Sequence, residues 1–575
     1  MTSCYGWTGK YARIDATDQS VQVLETPEPL RLDYLGGRGM AGALLRPHTT
    51  LAYDHPDMPL LVFTGPLTAT VAPTSGRSVI MSRSPLTGAV GDSSVGGKLG
   101  TRLKRAGWDG LMITGKAHGL CGIEIDDNTI TFVDAKELAG STTHKVLAHV
   151  SKRLGTKATV LSIGPAAESG VRFAGLGVDS HHAAGRVGLG LSFAAKNIKY
   201  IAIQGSGKIA VHDLAMIKAA REDIFRLTAA SPVLMGEFGF TCAGTGTLYD
   251  LMDSRAMMPT DNFQRTRFEH AATLNAHAFA KRYKPRRHGC LGCHILCKKI
   301  AEDGRSMPEF ETMSHFTALI GSHDQELVVA ANDLCNKLGM DTISAASALA
   351  CHAEVTQTKL TPEAVLSLLR DMASGHGAGQ ELAQGATEYA RSQGRPQAAM
   401  AVKGLDLPAY DPRGAYGMAL AYSVATRGGC HLRAYPVSHE ILRKPVATDR
   451  FSFSGKARII KIAEDVNAVI DSLIACKFVF FAASLEEYAR ALTGATGMET
   501  TAHDLLRAGE RIVLNERAIN AENGFSAKHD DLPPRFFQES GSGDATLHIP
   551  PLDRSAFLSA RHNYYQVRGC DSHGI

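Results

Sequence analysis

Long apolar runs are missing from this chain: no apolar run of about 18 residues lacks charges, so no membrane-spanning helix is expected. The opening residues, Met1-Thr-Ser-Cys-Tyr-Gly-Trp7, lack a basic stretch leading into an apolar one, so no secretory leader is read there and the cytoplasm is the expected compartment. Net charge is nearly absent too. A formal +4 over 575 residues supplies no field for general nucleic-acid binding, so charge can speak only locally. Eleven cysteines are too sparse at this length for a disulfide scaffold. No repeat of solenoid period occurs.

What is present is ordinary globular material, 44% hydrophobic and 21% charged, in a chain longer than one core can fill. To about Gly205 it is rich in Gly, Ser, Thr and Val, with short apolar runs at Leu60–Phe63, Ser78–Met81 and Tyr200–Ile203 that read as strands, and one helix-like piece at Gly97–Ala106. After Val211 longer amphipathic stretches take over, at Asp213–Ala229, Glu326–Leu338, Ser344–Val355 and Thr361–Ala373. The expected fold is α+β: a sheet-rich base (1–207), a helical domain (208–403) and a second helical domain (404–575).

Four of the cysteines carry the chemistry. Cys290, Cys293 and Cys297 form C-x-x-C-x-x-x-C, and Cys476 stands in Asp471-Ser-Leu-Ile-Ala-Cys-Lys-Phe478. Three thiolates on one short loop plus one from elsewhere suit a four-iron cluster. Zinc is the competing reading, with His288 or His294 completing a C-x-x-C set. A cluster that binds a sulfonium cofactor normally uses the reverse order. The remaining seven cysteines read as buried thiols. Around the trio, Lys281, Arg282, Lys284, Arg286, Arg287, Lys298 and Lys299 would stabilise a reduced, negatively charged cluster and steer an acidic electron carrier, or simply form a solvated loop.

Gly37-Arg-Gly-Met-Ala-Gly42 fits G-x-G-x-x-G with Asp54 downstream, but no clear buried strand precedes it and turn glycine is the expectation. Pro73–Ser78, Ser84–Gly88 and Gly91–Gly97 crowd glycine with small residues, as a phosphate or magnesium cradle would, and Gly185–Gly190 adds Arg186 as a phosphate partner. Asp411-Pro-Arg-Gly414 and Arg427-Gly-Gly-Cys-His-Leu-Arg433 would suit an anionic cofactor.

In this order, from Gly6-Trp-Thr-Gly9 to Tyr564-Tyr-Gln-Val-Arg-Gly-Cys-Asp571, the motifs resemble the aldehyde:ferredoxin oxidoreductase family, whose tungsten or molybdenum is held by two pyranopterins beside one [4Fe-4S] cluster. The resemblance implies Cys290, Cys293, Cys297 and Cys476 as cluster ligands. It implies pterin contacts at Arg77, Ser94, Gly96, Arg186, Val187, Asn336, Met340, Asp341, Arg427, Gly428, Arg433, Asp471, Ala475 and Lys477, with magnesium joining the pterin phosphates. Several positions depart from the family pattern: Asn336 for Asp, Ser94 for Asn, Arg433 for Lys, Ile474 for Gly and Cys570 for Trp. Glu309-Phe-Glu-Thr312 and His431 would make Glu311 and His431 the catalytic pair. No E-x-x-H occurs, so the iron that bridges some family dimers is not carried over. The implied activity is oxidation of a small aldehyde by water to a carboxylic acid, with electrons leaving to ferredoxin or an iron–sulfur subunit; a homo-oligomer would be compatible. The alternatives are reduction of an acid or aromatic thioester within the family, and a zinc-stabilised binding protein without redox activity.

Overall fold

The computed structural model describes residues 4–543 and 547–575. Its first two hundred residues form two six-stranded mixed sheets. The first contains β1 (Lys10–Asp15), β2 (Ser20–Glu25), β3 (Leu60–Phe63), β4 (Ser78–Arg83), β5 (Val90–Val95) and β6 (Gly110–Thr114), ordered β2-β1-β6-β3-β4-β5. The second contains β7 (Cys121–Asp126), β8 (Thr129–Asp134), β9 (Thr159–Ile163), β10 (Leu176–Val178), β11 (His182–Ala184) and β12 (Ile198–Gln204), ordered β11-β10-β9-β12-β7-β8. Continuous apolar runs put β3 and β6 in the middle, buried throughout, whereas β2 is a mostly exposed edge.

The opposite edge strand, β5, breaks the apolar pattern. Val-Gly-Asp-Ser-Ser-Val is almost wholly buried although half of it is polar, which is costly unless those groups have partners. It abuts β11, the edge of the second sheet, and this seam is the floor of the molecule's large cavity.

Helices roof the seam. Asp213, Asp324, Thr361 and Asp341 cap the helices Leu214–Ala229, Gln325–Leu338, Pro362–Ser374 and Thr342–Thr356, each side chain accepting from first-turn backbone N–H groups. This part is mainly helical, as expected, with two short hairpins: β13 (Arg286–His288) with β14 (Lys298–Ile300), and β15 (Ala401–Val402) with β16 (Leu405–Asp406). The first carries the cysteine trio at its tip.

The G-x-G-x-x-G run is neither a turn nor a dinucleotide loop. It opens the helix Gly37–Leu45. A Cβ on Gly36 would sit 2.7 Å from the Ser472 carbonyl, and one on Gly37 would strike the Asp471 carbonyl and lie 2.5 Å from Ile474 Cδ1. Glycine is needed for this close approach. The helix Lys456–Leu473 thus packs directly on the N-terminal base. It ends at Ile474, which adopts φ +63°, a left-handed conformation that a β-branched residue adopts only under strain. The Ile474 side chain fills the space that Gly37 leaves. The chain then turns to present Cys476 from the helical side.

Candidate functional site

The cavity is about 1200 Å³, more than one drug-sized ligand requires. Cys290, Cys293, Cys297 and Cys476 all line it, as do Arg77, Ser94, Gly96, Arg186, Arg427, Arg433, Asp471, Lys477, Glu311 and His431. One wall thus gathers residues from β5, from the β13–β14 hairpin and from the segment after Leu473.

The hairpin is pinned to the floor. Leu291 N–H donates to the Gly97 carbonyl (3.1 Å), and a Cβ on Gly96 would collide with the Cys290 sulfur. Arg77 Nε donates to Ser94 Oγ (2.9 Å) and Nη2 to the Ser94 carbonyl (2.7 Å), leaving the guanidinium close enough to Cys476, Cys290 and Cys297 to sense their charge. Burial pushes the Cys476 thiol up to about 11, with Arg77 opposing, and raises Cys293 and Cys297 as well. None of the eleven cysteines forms a disulfide.

Four sulfurs around one zinc lie about 3.8 Å apart, given Zn–S of about 2.3 Å. Among the described residues no three His, Cys, Asp or Glu side chains converge closely enough to hold one ion. His294 turns away, its Nε2 2.9 Å from Thr228 Oγ1 and its ring against Phe225. Four thiols lining one cavity supply the ligand number of a four-iron cluster. The seven other cysteines are less uniform than expected: Cys121, Cys335, Cys351 and Cys430 are buried, Cys4 and Cys570 partly so, and Cys242 is exposed.

A buried chain of ion pairs backs the cavity. Lys477 Nζ lies 2.6 Å from Asp471, Arg38 3.6 Å from Asp471 and 2.6 Å from Glu516, and Arg433 pairs with Asp92 on β5. Arg427 Nη1 donates to the Asp92 carbonyl (2.6 Å). Burial pushes the Asp92 carboxyl upward, but Arg433, Arg427 and Arg38 overcome it and hold the group below the usual carboxylate range. Two cavity-wall guanidinium groups have a buried Nε without a hydrogen bond: Arg433, and Arg186, whose Nε has only the Asp341 carboxylate at 3.4 Å. Seven cationic side chains line the cavity against four carboxylates. The wall therefore fits a large anionic group, such as one with two phosphates.

Glu311 stands in the short helix Phe310–His315. Its Oε2 accepts from Ala409 N–H (2.8 Å), and its Oε1, which lacks a hydrogen bond, lies 3.4 Å from His431 Nε2. Burial pushes the Glu311 carboxyl up to about 8, the Ala409 N–H and Arg186 opposing. Burial, then Arg186 and Arg427, holds the His431 imidazole well below its usual range. Near neutral pH the pair is a protonated acid facing a neutral ring. The wall beside it is aromatic: Tyr410 packs on Phe310 and His431 with centroids 5.4 and 5.5 Å apart, and Tyr410 and Tyr435 hydroxyls meet at 3.1 Å.

Six sequence-selected positions stand off the cavity wall. Asp341 caps its helix and approaches Arg186 Nε (3.4 Å); Asn336 offers its carbonyl to Thr143; Met340 bridges to Ala174. Val187 is buried with its carbonyl accepting from Ser84, Gly428 packs against Val402 and Leu405, and Ala475 is buried behind Cys476. Among the glycine-rich runs, Ser84–Gly88 is the β4–β5 turn rather than a cradle, whereas Gly76, Arg77 and Asp92–Gly96 do line the cavity. Asp411-Pro-Arg-Gly414 is structural, because Arg413 is buried and spends itself on Asp411, Phe263 and the 539–540 backbone. Sequence reasoning missed Asp92, His182, Tyr410 and Tyr435. A charged residue inside an otherwise buried strand was the signal for Asp92.

A two-sheet base roofed by helices around a thiol- and arginine-lined cavity is the architecture of an oxidoreductase that houses a large cofactor. The sequence model of the aldehyde ferredoxin oxidoreductase N-terminal domain matches residues 11–205, and that of domains 2 and 3 matches 219–575; the chain belongs to this family. A tungsten-containing aldehyde ferredoxin oxidoreductase of Pyrococcus furiosus is 34% identical over 560 residues, covering 93% of this chain and 92% of the relative. Its counterpart from Thermococcus kodakarensis is 33% identical over 596 residues, covering 99% and 97%. The WOR-like subunit of an aliphatic sulfonate oxidoreductase of Pyrococcus furiosus is 26% identical, covering 99% and 96%. Among solved structures, the active-site complex BamBC of benzoyl coenzyme A reductase with 1,5-dienoyl-CoA shares the fold, with a TM-score of 0.86, 18% identity, and coverage of 100% of this chain and 96% of that one. Among the described residues no helix is long and apolar enough to cross a membrane.

Proposed function

We propose that this protein oxidises an uncharged, preferably aromatic aldehyde with water to the carboxylic acid. Two electrons would leave through a [4Fe-4S] cluster on Cys290, Cys293, Cys297 and Cys476 to ferredoxin or an iron–sulfur subunit. The observation that carries this reading is the meeting of four thiols, buried arginine donors without hydrogen bonds and the Glu311–His431 pair in one cavity.

The residues toward the pterins would be Arg186, Arg427 and Arg433 for phosphates and Asp471, tethered by Lys477, for the heterocycle. Arg77 would lie between cluster and pterin. Bound there, tungsten or molybdenum on its two pterins would accept the electron pair, and the cluster would pass it on singly. Conversion of aldehyde and water to acid also releases two protons. Glu311, titrating near 8, exchanges a proton near neutral pH, and His431, held neutral 3.4 Å away, orients it. Tyr410, Tyr435 and Phe310 exclude water and offer ring faces to a planar substrate. The exposed tip residues Leu291 and Gly292, flanked by exposed Arg286 and Arg287, form the exit for electrons and suit an acidic carrier.

The test is a viologen-coupled assay of purified enzyme with benzaldehyde, acetaldehyde and glyoxylate. Turnover highest on benzaldehyde and least on glyoxylate is expected; preference for the anionic aldehyde, or no aldehyde oxidation, overturns the reading.

A further inference from the structure

We propose that His182 donates a hydrogen bond to the Cys290 sulfur and thereby raises the reduction potential of the iron–sulfur cluster; the inference rests on the cluster reading above. His182 lies on β11, the edge strand at the seam, with Nε2 3.7 Å from Cys290 Sγ, within hydrogen-bonding range for sulfur. A ligating sulfur carries no proton, so the ring nitrogen is the donor. Among the described residues this is the one side chain that hydrogen-bonds any of the four thiols.

The ring is built into place. Its Cδ2 lies 3.3 Å from where a Gly96 Cβ would stand and its Nδ1 3.3 Å from a Gly97 Cβ, so both glycines leave room for it. His288, at the root of the cysteine hairpin, packs against it with centroids 6.0 Å apart. His181 packs edge-on against His288 at 5.1 Å and is held by Ser306 Oγ at 2.7 Å. The three histidines join β11 to the hairpin and fix the direction of the Nε2–H bond. An N–H dipole aimed at a ligand sulfur stabilises the added negative charge of the reduced cluster more than the oxidised one.

The experiment is an anaerobic redox titration of the purified holoenzyme, followed by the electron paramagnetic resonance of the reduced cluster, with iron counted per chain. It compares wild type, His182→Leu, His182→Phe and His182→Gln. A donor-free variant that retains iron should show about a tenfold lower ratio of reduced to oxidised cluster at fixed potential, or about 59 mV for a one-electron couple. Glutamine, which keeps an N–H donor, should recover part of the shift. An unshifted midpoint in an iron-replete Leu or Phe variant overturns the proposal, as does an equal shift in Gln. Loss of iron from both donor-free variants makes His182 structural and also overturns it. Wild-type protein without iron overturns the cluster reading instead, a distinct result.

Discussion

Replacing Glu311 with Gln separates chemistry from folding at one atom. Gln keeps the oxygen that accepts from Ala409 N–H and offers an amide N–H to His431 Nε2, 3.4 Å from Oε1 in the native protein, so the cavity need not rearrange. The variant cannot exchange a proton, and turnover of the holoenzyme should fall about a hundredfold or more at unchanged metal content. Stability should move the other way. The Glu311 carboxyl titrates near its ordinary 4.5 when unfolded and near 8 when folded, so its burial is harmless below the lower value and costs stability increasingly as pH rises through the upper one. At 1.36 kcal/mol per pH unit, that cost is about 2 kcal/mol at pH 6 and about 4 kcal/mol at pH 8. The variant is free of it. Thermal unfolding of both proteins at pH 6 and pH 8 should therefore show the variant gaining over wild type, and gaining more at pH 8. A pH-independent difference would refute the buried-acid account; undiminished turnover would remove Glu311 from the mechanism.

Asp92→Asn should behave oppositely. Removing the partner of buried Arg433 costs about 3–5 kcal/mol, read as a lower denaturation midpoint. Because the Asp92 carboxyl is held below its ordinary range, the wild-type advantage persists above that range and fades only as pH falls below about 4; an advantage that instead fades toward alkaline pH would contradict the pairing. The double variant Arg286→Glu/Arg287→Glu changes only exposed charge beside the cysteine hairpin. It should lower the electron-transfer rate to an acidic ferredoxin about tenfold or more at low salt while leaving the viologen rate unchanged. Equal loss with both acceptors would place the defect inside the enzyme.

The elements were legible where local signals agreed. Leu60–Phe63 is both the apolar run and β3, and Asp213 both starts the periodic stretch and caps its helix. Reading failed where tertiary contact decides. Nothing local says that Gly37–Gly42 is a helix pressed against Asp471 and Ser472 more than 430 positions away, because the reason for glycine there is the distant carbonyl. Ile474 in place of glycine looked like a defect in a motif; the structure pairs it with Gly37, which makes the room. Chemistry-bearing residue types pointed to the cavity wall: the cysteines, Arg77, Arg186, Arg427, Arg433, Glu311 and His431 all line it. Asp341, Asn336, Met340, Val187, Gly428 and Ala475 stand off that wall, engaged through the backbone, a cap or packing, a distinction that side-chain type cannot convey. Tyr410 and Tyr435 were invisible for a different reason: an aromatic residue in a cavity has no sequence pattern to separate it from core.

One late sulfur, that of Cys476, would complete an iron site begun by the three upstream ones. Elemental analysis of anaerobically purified wild type and Cys476→Ser tests it most directly. Wild type should carry about four irons and about one tungsten or molybdenum per chain, with the serine variant losing iron and its visible absorption. Zinc in place of iron in wild type, or a serine variant with a full and spectroscopically unchanged iron complement, would contradict it.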